Sequence, residues 1–149
     1  MIEQLPDLAA MQAYGKRIAH VLRPGDVVAL SGTLGAGKTT LARAIIAASG
    51  HRGEVPSPTF TILETYDDLS VPLVHADFYR LDDPREVEEL GLDDYREGAA
   101  LLAEWPDRAG GFEHEETCLS ILLETVEEDG RSGRQGIVKG GKAWQDRMP

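Results

Sequence analysis

Runs of apolar residues alternate along the chain with segments in which apolar residues recur at helical spacing. This pattern predicts strands over 26–31, 59–66, 71–76, 99–104, 119–125 and 136–139, and helices over 8–22, 40–49 and 82–91. The last two strands are expected to form a hairpin. Strands that alternate with helices predict a three-layer α/β domain whose central sheet is mainly parallel.

A glycine-rich octet, GTLGAGKT, occupies positions 32–39 and matches the pattern G-x-x-x-x-G-K-[ST]. It lies between a predicted strand and a predicted helix, which is the setting that a phosphate-binding P-loop requires. Its glycines allow backbone N–H groups to turn toward phosphates, and the helix that follows adds the positive end of its dipole. The sequence therefore predicts a P-loop NTPase fold with antiparallel strands at the sheet edges, and a bound nucleoside triphosphate.

Individual side chains of this motif have expected roles. Lys38 is expected to reach the β- and γ-phosphates, and the Thr39 hydroxyl to ligate Mg²⁺. For Thr40 two roles remain open, namely capping of the first helical turn and contact with the α-phosphate.

Two acidic residues end apolar strands, and ligands of such sheets bind at the carboxyl ends of the strands. Asp77 follows the run LVHA as a Walker B carboxylate would, although a strand-end Asp can also cap a turn. Glu104 follows LLA and is predicted to be a metal ligand or the base that orients water, with a rim carboxylate as the alternative. Trp105 belongs either to the core or to a stacking surface at the site.

Two further polar residues have weaker signals. His75 alternates onto one face of a strand, and the pattern favours a structural histidine. Thr59 follows Pro56 and Pro58, where either a loop that senses the γ-phosphate or simple entry into a strand fits.

Composition narrows the classes of partner. The net charge is −11, the pI is near 4.7, and the chain has four lysines, whereas nucleic-acid grooves need clustered cations. We therefore expect no direct tight binding of nucleic acid. The acidic segment 82–97 is either a solvated face or a docking surface for a basic protein.

The length of 149 residues favours one domain, which is expected over 1–140, followed by a flexible tail over 141–149. The single cysteine, Cys118, is expected in the core. No leader and no apolar run of about 20 residues is seen, so no membrane contact and a cytoplasmic location are expected.

Several segments together resemble one family. In chain order they are GTLGAGKTT at 32–40, PSPTFT at 56–61, HADFYRL at 75–81, ELG at 89–91 and EWP at 104–106. Over about residues 5–140 the chain resembles the TsaE (YjeE) family, the small bacterial ATPase of tRNA threonylcarbamoyladenosine biosynthesis. One departure is Thr33, where the family commonly carries Asp.

The resemblance implies site roles residue by residue. Nucleotide contacts are implied for Leu8, Gly35, Ala36, Gly37, Lys38, Thr39, Thr40, Thr59 and Arg134. Mg²⁺ contacts are implied for Thr39 and Glu104, and Asp77 takes the Walker B position as a further metal and catalytic residue beside Lys38 and Glu104. The segment 57–61, which includes Thr59, resembles the switch-like segment of the family.

The resemblance also implies an activity and partners. The chain would hydrolyse ATP to ADP and phosphate with Mg²⁺ while docked on a TsaD-type threonylcarbamoyl transferase and its TsaB-type paralogue, reaching tRNA only through them. Intrinsic turnover is expected to be slow. The alternatives are a small-molecule or nucleoside kinase, which the acidic segment after Asp77 disfavours, and a nucleotide-gated adaptor that does not hydrolyse ATP.

Overall fold

A computed structural model of the chain describes residues 1–56, 58 and 62–149. The strands are β1 Ile2–Leu5, β2 Val27–Ser31, β3 Leu63–Tyr66, β4 Leu73–Asp77, β5 Ala100–Glu104, β6 Cys118–Glu128 and β7 Arg131–Gly140. The α-helices are α1 Leu8–Val21, α2 Lys38–Ala48, α3 Glu86–Leu90 and α4 Leu92–Arg96. Short 3₁₀ helices span Pro106–Ala109 and Lys142–Trp144.

All seven strands form one sheet in the order β1-β7-β6-β2-β5-β4-β3. Its four central strands, β6, β2, β5 and β4, run parallel, because β2 pairs in parallel with both β5 and β6, and β4 pairs in parallel with β5. The pairs β1–β7, β6–β7 and β3–β4 are antiparallel. A mixed α/β sheet with a parallel centre and antiparallel edges is thus confirmed.

Both faces of the sheet are buried, as the continuous apolar runs predict. Val28 and Leu30 of β2 belong to one apolar cluster, together with residues of α1 and α2 such as Ile18 and Ile45. The alternate residues of β2 belong to a second cluster that includes Leu92 of α4. Because successive side chains of a strand point to opposite faces, the two clusters are the two sides of the sheet.

The parallel centre brings the carboxyl ends of β2, β4 and β5 to one edge. Glu104 at the end of β5 lies opposite Leu30 of β2 on one side and Asp77 of β4 on the other. Helix α2 begins at Lys38, seven residues after β2 ends at Ser31. The acidic strand ends and the start of α2 therefore meet at the same place.

Some boundaries differ from the sequence prediction. β1 was not predicted, and it pairs with β7 far along the chain, with Ile2 opposite Ile137. The helix predicted over 82–91 begins at Glu86 and ends as predicted at Gly91, whose φ of 70° stops it before a second short helix, α4. Within the described residues, no helix is long and apolar enough to cross a membrane.

The segment 141–149, predicted to be a flexible tail, packs against the domain in the structure. Trp144 is buried, and its indole N–H donates to the carbonyl oxygen of Thr117 at 2.7 Å. Arg147 donates to both carboxylate oxygens of Asp26 at 2.7 Å, and its guanidinium carbon lies 4.1 Å from the centre of the Trp144 ring. The physical reason is that the buried Asp26 requires a cation, which this segment supplies.

We expect Trp144→Ala to lower the free energy of unfolding by about 3–5 kcal/mol, because it empties a fully buried aromatic site. Chemical denaturation would measure the loss. Gln145→Ala, which changes an exposed neighbour, is the matched control and should unfold like the wild type. Equal stability of the Trp144→Ala variant and the wild type would show that the segment does not pack.

Candidate functional site

The loop between β2 and α2 requires glycine at two positions. Gly37 is the N-cap of α2 with a φ of 106°, a left-handed conformation that side chains rarely adopt. A Cβ atom at Gly32, whose φ is 141°, would lie 2.5 Å from the carbonyl oxygen of Leu123. These glycines let the loop turn tightly into the helix, whose first N–H groups have no intrahelical partner. Such a helix start favours an anion.

Lys38, the first residue of α2, keeps its ammonium group inside this loop. Only 5% of the residue is exposed, and Nζ donates to the carbonyl oxygens of Gly32 at 2.7 Å and Thr33 at 2.8 Å. Nζ also lies 4.3 Å from the centre of the Trp105 ring. Burial lowers the pKa of Lys38, while the carboxylates of Glu104 and Asp77 act in the opposite direction. A cation is therefore held at the mouth of the loop.

Three side chains from three elements form a chain of hydrogen bonds beside Lys38. Thr39 Oγ1 donates to Glu104 Oε1 at 2.8 Å, and His75 Nε2 lies 2.6 Å from Glu104 Oε2. Glu104 is 1% exposed and His75 is 0% exposed. Thus the Glu104 carboxylate is buried with one partner on each oxygen, and its Thr39 side faces the start of α2.

Asp77 lies next to Glu104 across the β4–β5 pair. Its Oδ1 accepts a hydrogen bond of 3.0 Å from the backbone N–H of Tyr79. Burial raises the pKa of the Asp77 carboxyl and the charge of Glu104 adds to the rise, whereas the Tyr79 N–H, His75 and Lys38 lower it. Two carboxylates and one ammonium thus share a partly buried site.

Aromatic rings form one wall of this site. Trp105 has a positive φ of 55°, which turns the chain sharply after Glu104, and its backbone N–H donates to Leu30 at 3.2 Å. The Tyr79 ring lies 4.9 Å from the Trp105 ring. A non-glycine residue in this conformation is strained, and such strain is concentrated at functional sites. Of the two roles left open for Trp105, the structure places its ring at the site.

A cavity of about 370 Å³ collects these groups. Its lining comprises Leu34, Gly35, Gly37, Lys38, Thr39, Thr40, Asp77, Tyr79, Arg80, Glu104 and Trp105. Seven of the sequence-predicted site residues are therefore together. Sequence reasoning gave no role to Tyr79, although it lies in the HADFYRL segment; its position two residues after Asp77 was the available signal.

Three predicted residues lie outside the cavity lining, and one lies outside the described residues. Ala36 is buried under the loop, and Arg134 donates from β7 to the carbonyl oxygens of Gly35 and Ala36, both at 3.2 Å. Leu8, which is 60% exposed, lines a neighbouring groove of about 590 Å³ between α1 and α2, and this groove shares Thr40 with the cavity. Thr59 and the rest of the predicted switch-like segment, apart from Pro58, are not among the described residues.

The oxygen atoms that line the cavity are suitable ligands for a hard divalent cation. The Thr39 hydroxyl and the carboxylates of Glu104 and Asp77 all offer oxygen, the ligand that Mg²⁺ prefers. Among the described residues there is no cluster of three or more His, Cys, Asp or Glu arranged to hold a metal. The oxygens of Thr39, Glu104 and Asp77 supply only some of the ligands of a metal ion. This suits Mg²⁺, which would take its remaining ligands from a phosphate and water.

Comparisons with known proteins identify one family. The family model described as "Threonylcarbamoyl adenosine biosynthesis protein TsaE" matches residues 5–134. The tRNA threonylcarbamoyladenosine biosynthesis protein TsaE of Haemophilus influenzae is 38% identical over 118 residues, which are 75% of each chain. The protein of the same name from Streptomyces coelicolor is 47% identical over 98 residues, 64% of this chain and 66% of the relative. The crystal structure of YdiB from Bacillus subtilis superposes with a TM-score of 0.78 at 29% identity, covering 98% of this chain and 89% of YdiB.

Proposed function

This chain belongs to the TsaE family, and we propose that it is a Mg²⁺-dependent ATPase that takes part in the threonylcarbamoyladenosine modification of tRNA. The observation that carries the proposal is the hydrogen bond between Thr39 Oγ1 and Glu104 Oε1. It joins the start of a P-loop helix to a buried acidic strand end, where a metal bound to the triphosphate would lie. The finer fold assignment, a three-layer P-loop NTPase, is part of the same proposal.

The loop and Lys38 bind the phosphates in this proposal. Lys38 exchanges the carbonyl oxygens of Gly32 and Thr33 for the β- and γ-phosphate oxygens, since a phosphate offers a cation a stronger acceptor than a carbonyl. The N–H groups at the start of α2 bind the remaining phosphate oxygens. Arg134 on β7 donates hydrogen bonds to the carbonyl oxygens of Gly35 and Ala36 and so holds the loop. Leu8 and Thr40 border the adjoining groove between α1 and α2.

Thr39 and Glu104 would hold Mg²⁺, with Asp77 beside them at the Walker B position. When bound, the ion neutralises the charge that develops on the phosphates during transfer. Glu104 then serves either as a metal ligand or as the base that orients the attacking water, and both roles require the carboxylate to stay ionised and fixed. Lys38, which is 5% exposed, lies on the phosphate side of the site.

The family and the charge of the chain support a proposal about its partners. We propose that the chain docks on a TsaD-type transferase and its TsaB-type paralogue and reaches tRNA through them. The net charge of −11 supports this order of contacts, because a chain this acidic has too few cations to release the counterions of RNA. Hydrolysis then changes the state of the complex and transfers no group to the tRNA itself.

We expect Lys38→Ala and Glu104→Ala each to reduce ATP hydrolysis by at least ~10²-fold, because each removes a charged group placed against the phosphates or the metal. Release of inorganic phosphate by the purified chain, with no acceptor added, is the measurement. It also separates an ATPase from a kinase, which requires an acceptor.

The matched control is Lys139→Ala, which removes an exposed lysine on β7 and should leave the rate unchanged. Wild-type hydrolysis in the Lys38→Ala variant would contradict the P-loop assignment. Phosphate transfer that depends on an added acceptor would favour the kinase instead.

We expect Mg²⁺ and ADP to change the fluorescence of Trp105, because the Lys38 ammonium lies 4.3 Å from its ring and turns toward the phosphates on binding. Trp144 packs in the C-terminal segment and should not respond. Trp144→Phe should therefore keep the change, and Trp105→Phe should abolish it. The opposite result would show that the segment after Glu104 does not border the nucleotide.

A further inference from the structure

His75 contacts the candidate metal site although the sequence pattern favours a structural histidine. It lies on β4 opposite Leu102, whereas Glu104 lies opposite Asp77, so His75 and Glu104 are diagonal neighbours on the same face of the sheet. His75 Nε2 lies 2.6 Å from Glu104 Oε2, and both side chains are buried. Periodicity places His75 on that face but does not show which residue of the next strand it meets.

The other ring nitrogen shows where the proton lies. His75 Nδ1 is buried and has no hydrogen-bond partner among the described residues. A proton on Nδ1 would leave a buried donor unsatisfied and would leave two acceptors facing each other at the Glu104 contact. A ring with a single N–H therefore carries it on Nε2, and this N–H donates a hydrogen bond to Glu104 Oε2.

We propose that His75 is a positioning residue that fixes which oxygen of Glu104 faces the metal. Its N–H engages Oε2, so Oε1 alone is directed toward Thr39 and the cavity. This inference rests on the proposed function, since the metal is the Mg²⁺ that accompanies ATP. Mg²⁺ demands nearly ideal octahedral geometry, and a carboxylate held in one orientation as a single-oxygen ligand meets that demand.

The test measures metal binding without hydrolysis. Calorimetry gives the affinity for the non-hydrolysable analogue AMP-PNP in Mg²⁺ and in EDTA, and the ratio of the two affinities reports the contribution of the metal. We expect His75→Leu, which cannot donate, to lower this ratio by about 10-fold or more, while the affinity in EDTA stays unchanged. His75→Gln places an amide N–H near the position of Nε2 and should retain most of the wild-type ratio.

Val74→Ala is the matched control, because Val74 is a buried neighbour on the same strand that belongs to the cluster on the other face. It should keep the wild-type ratio despite lower stability. If His75→Leu does not fold, His75→Asn replaces it: asparagine is too short to reach Glu104, so its ratio should fall while that of His75→Gln does not.

Two results would overturn the inference alone. One is a wild-type ratio in His75→Leu, or in His75→Asn if that variant replaces it. The other is a fall in the affinity ratio of His75→Gln and Val74→Ala as large as that of His75→Leu, which would show a general effect of destabilisation. A wild-type chain that binds AMP-PNP equally in Mg²⁺ and EDTA would instead contradict the proposed metal site, and the inference with it.

Discussion

A carboxylate buried at the end of a central strand imposes a strict requirement on its surroundings. Glu104 is 1% exposed, and burying a charge in this way is costly unless donors satisfy its oxygens. Thr39 and His75 meet the requirement, one on each oxygen. For both to do so, α2 must begin within hydrogen-bond reach of the end of β5, and β4 must pair with β5 in the observed register. The observed position of α2 relative to the sheet meets this requirement.

The proposed site would allow an acidic protein to bind a polyanion. The chain carries a net charge of −11, yet the proposed phosphate site contains Lys38 and the start of α2, and Arg134 contacts its loop. Electrostatic interactions between exposed charges are screened beyond about 10 Å, whereas those of buried groups are screened much less. Local geometry therefore decides whether phosphate binds, and the acidic surface bears on which macromolecules approach.

The sequence predicted those features that depend on local signals. The P-loop, the parallel central strands and the acidic strand ends Asp77 and Glu104 follow from motif and periodicity, and the structure brings them together. β1 was not predicted from the sequence, because it is stabilised by pairing with β7, more than a hundred residues away. The packing of Trp144 and Arg147 was not predicted for a similar reason, since their partners Thr117 and Asp26 are distant in sequence. The His75–Glu104 contact depends on strand register, which periodicity does not specify.

The central claim, that Thr39 and Glu104 define a metal site at the start of the P-loop helix, is tested most directly by crystallography with Mn²⁺ and AMP-PNP. The account predicts an anomalous manganese peak in direct coordination with Thr39 Oγ1, on the Oε1 side of Glu104, with the phosphates inside the loop over 32–37. A manganese peak away from Thr39, or phosphates bound outside that loop, would contradict it.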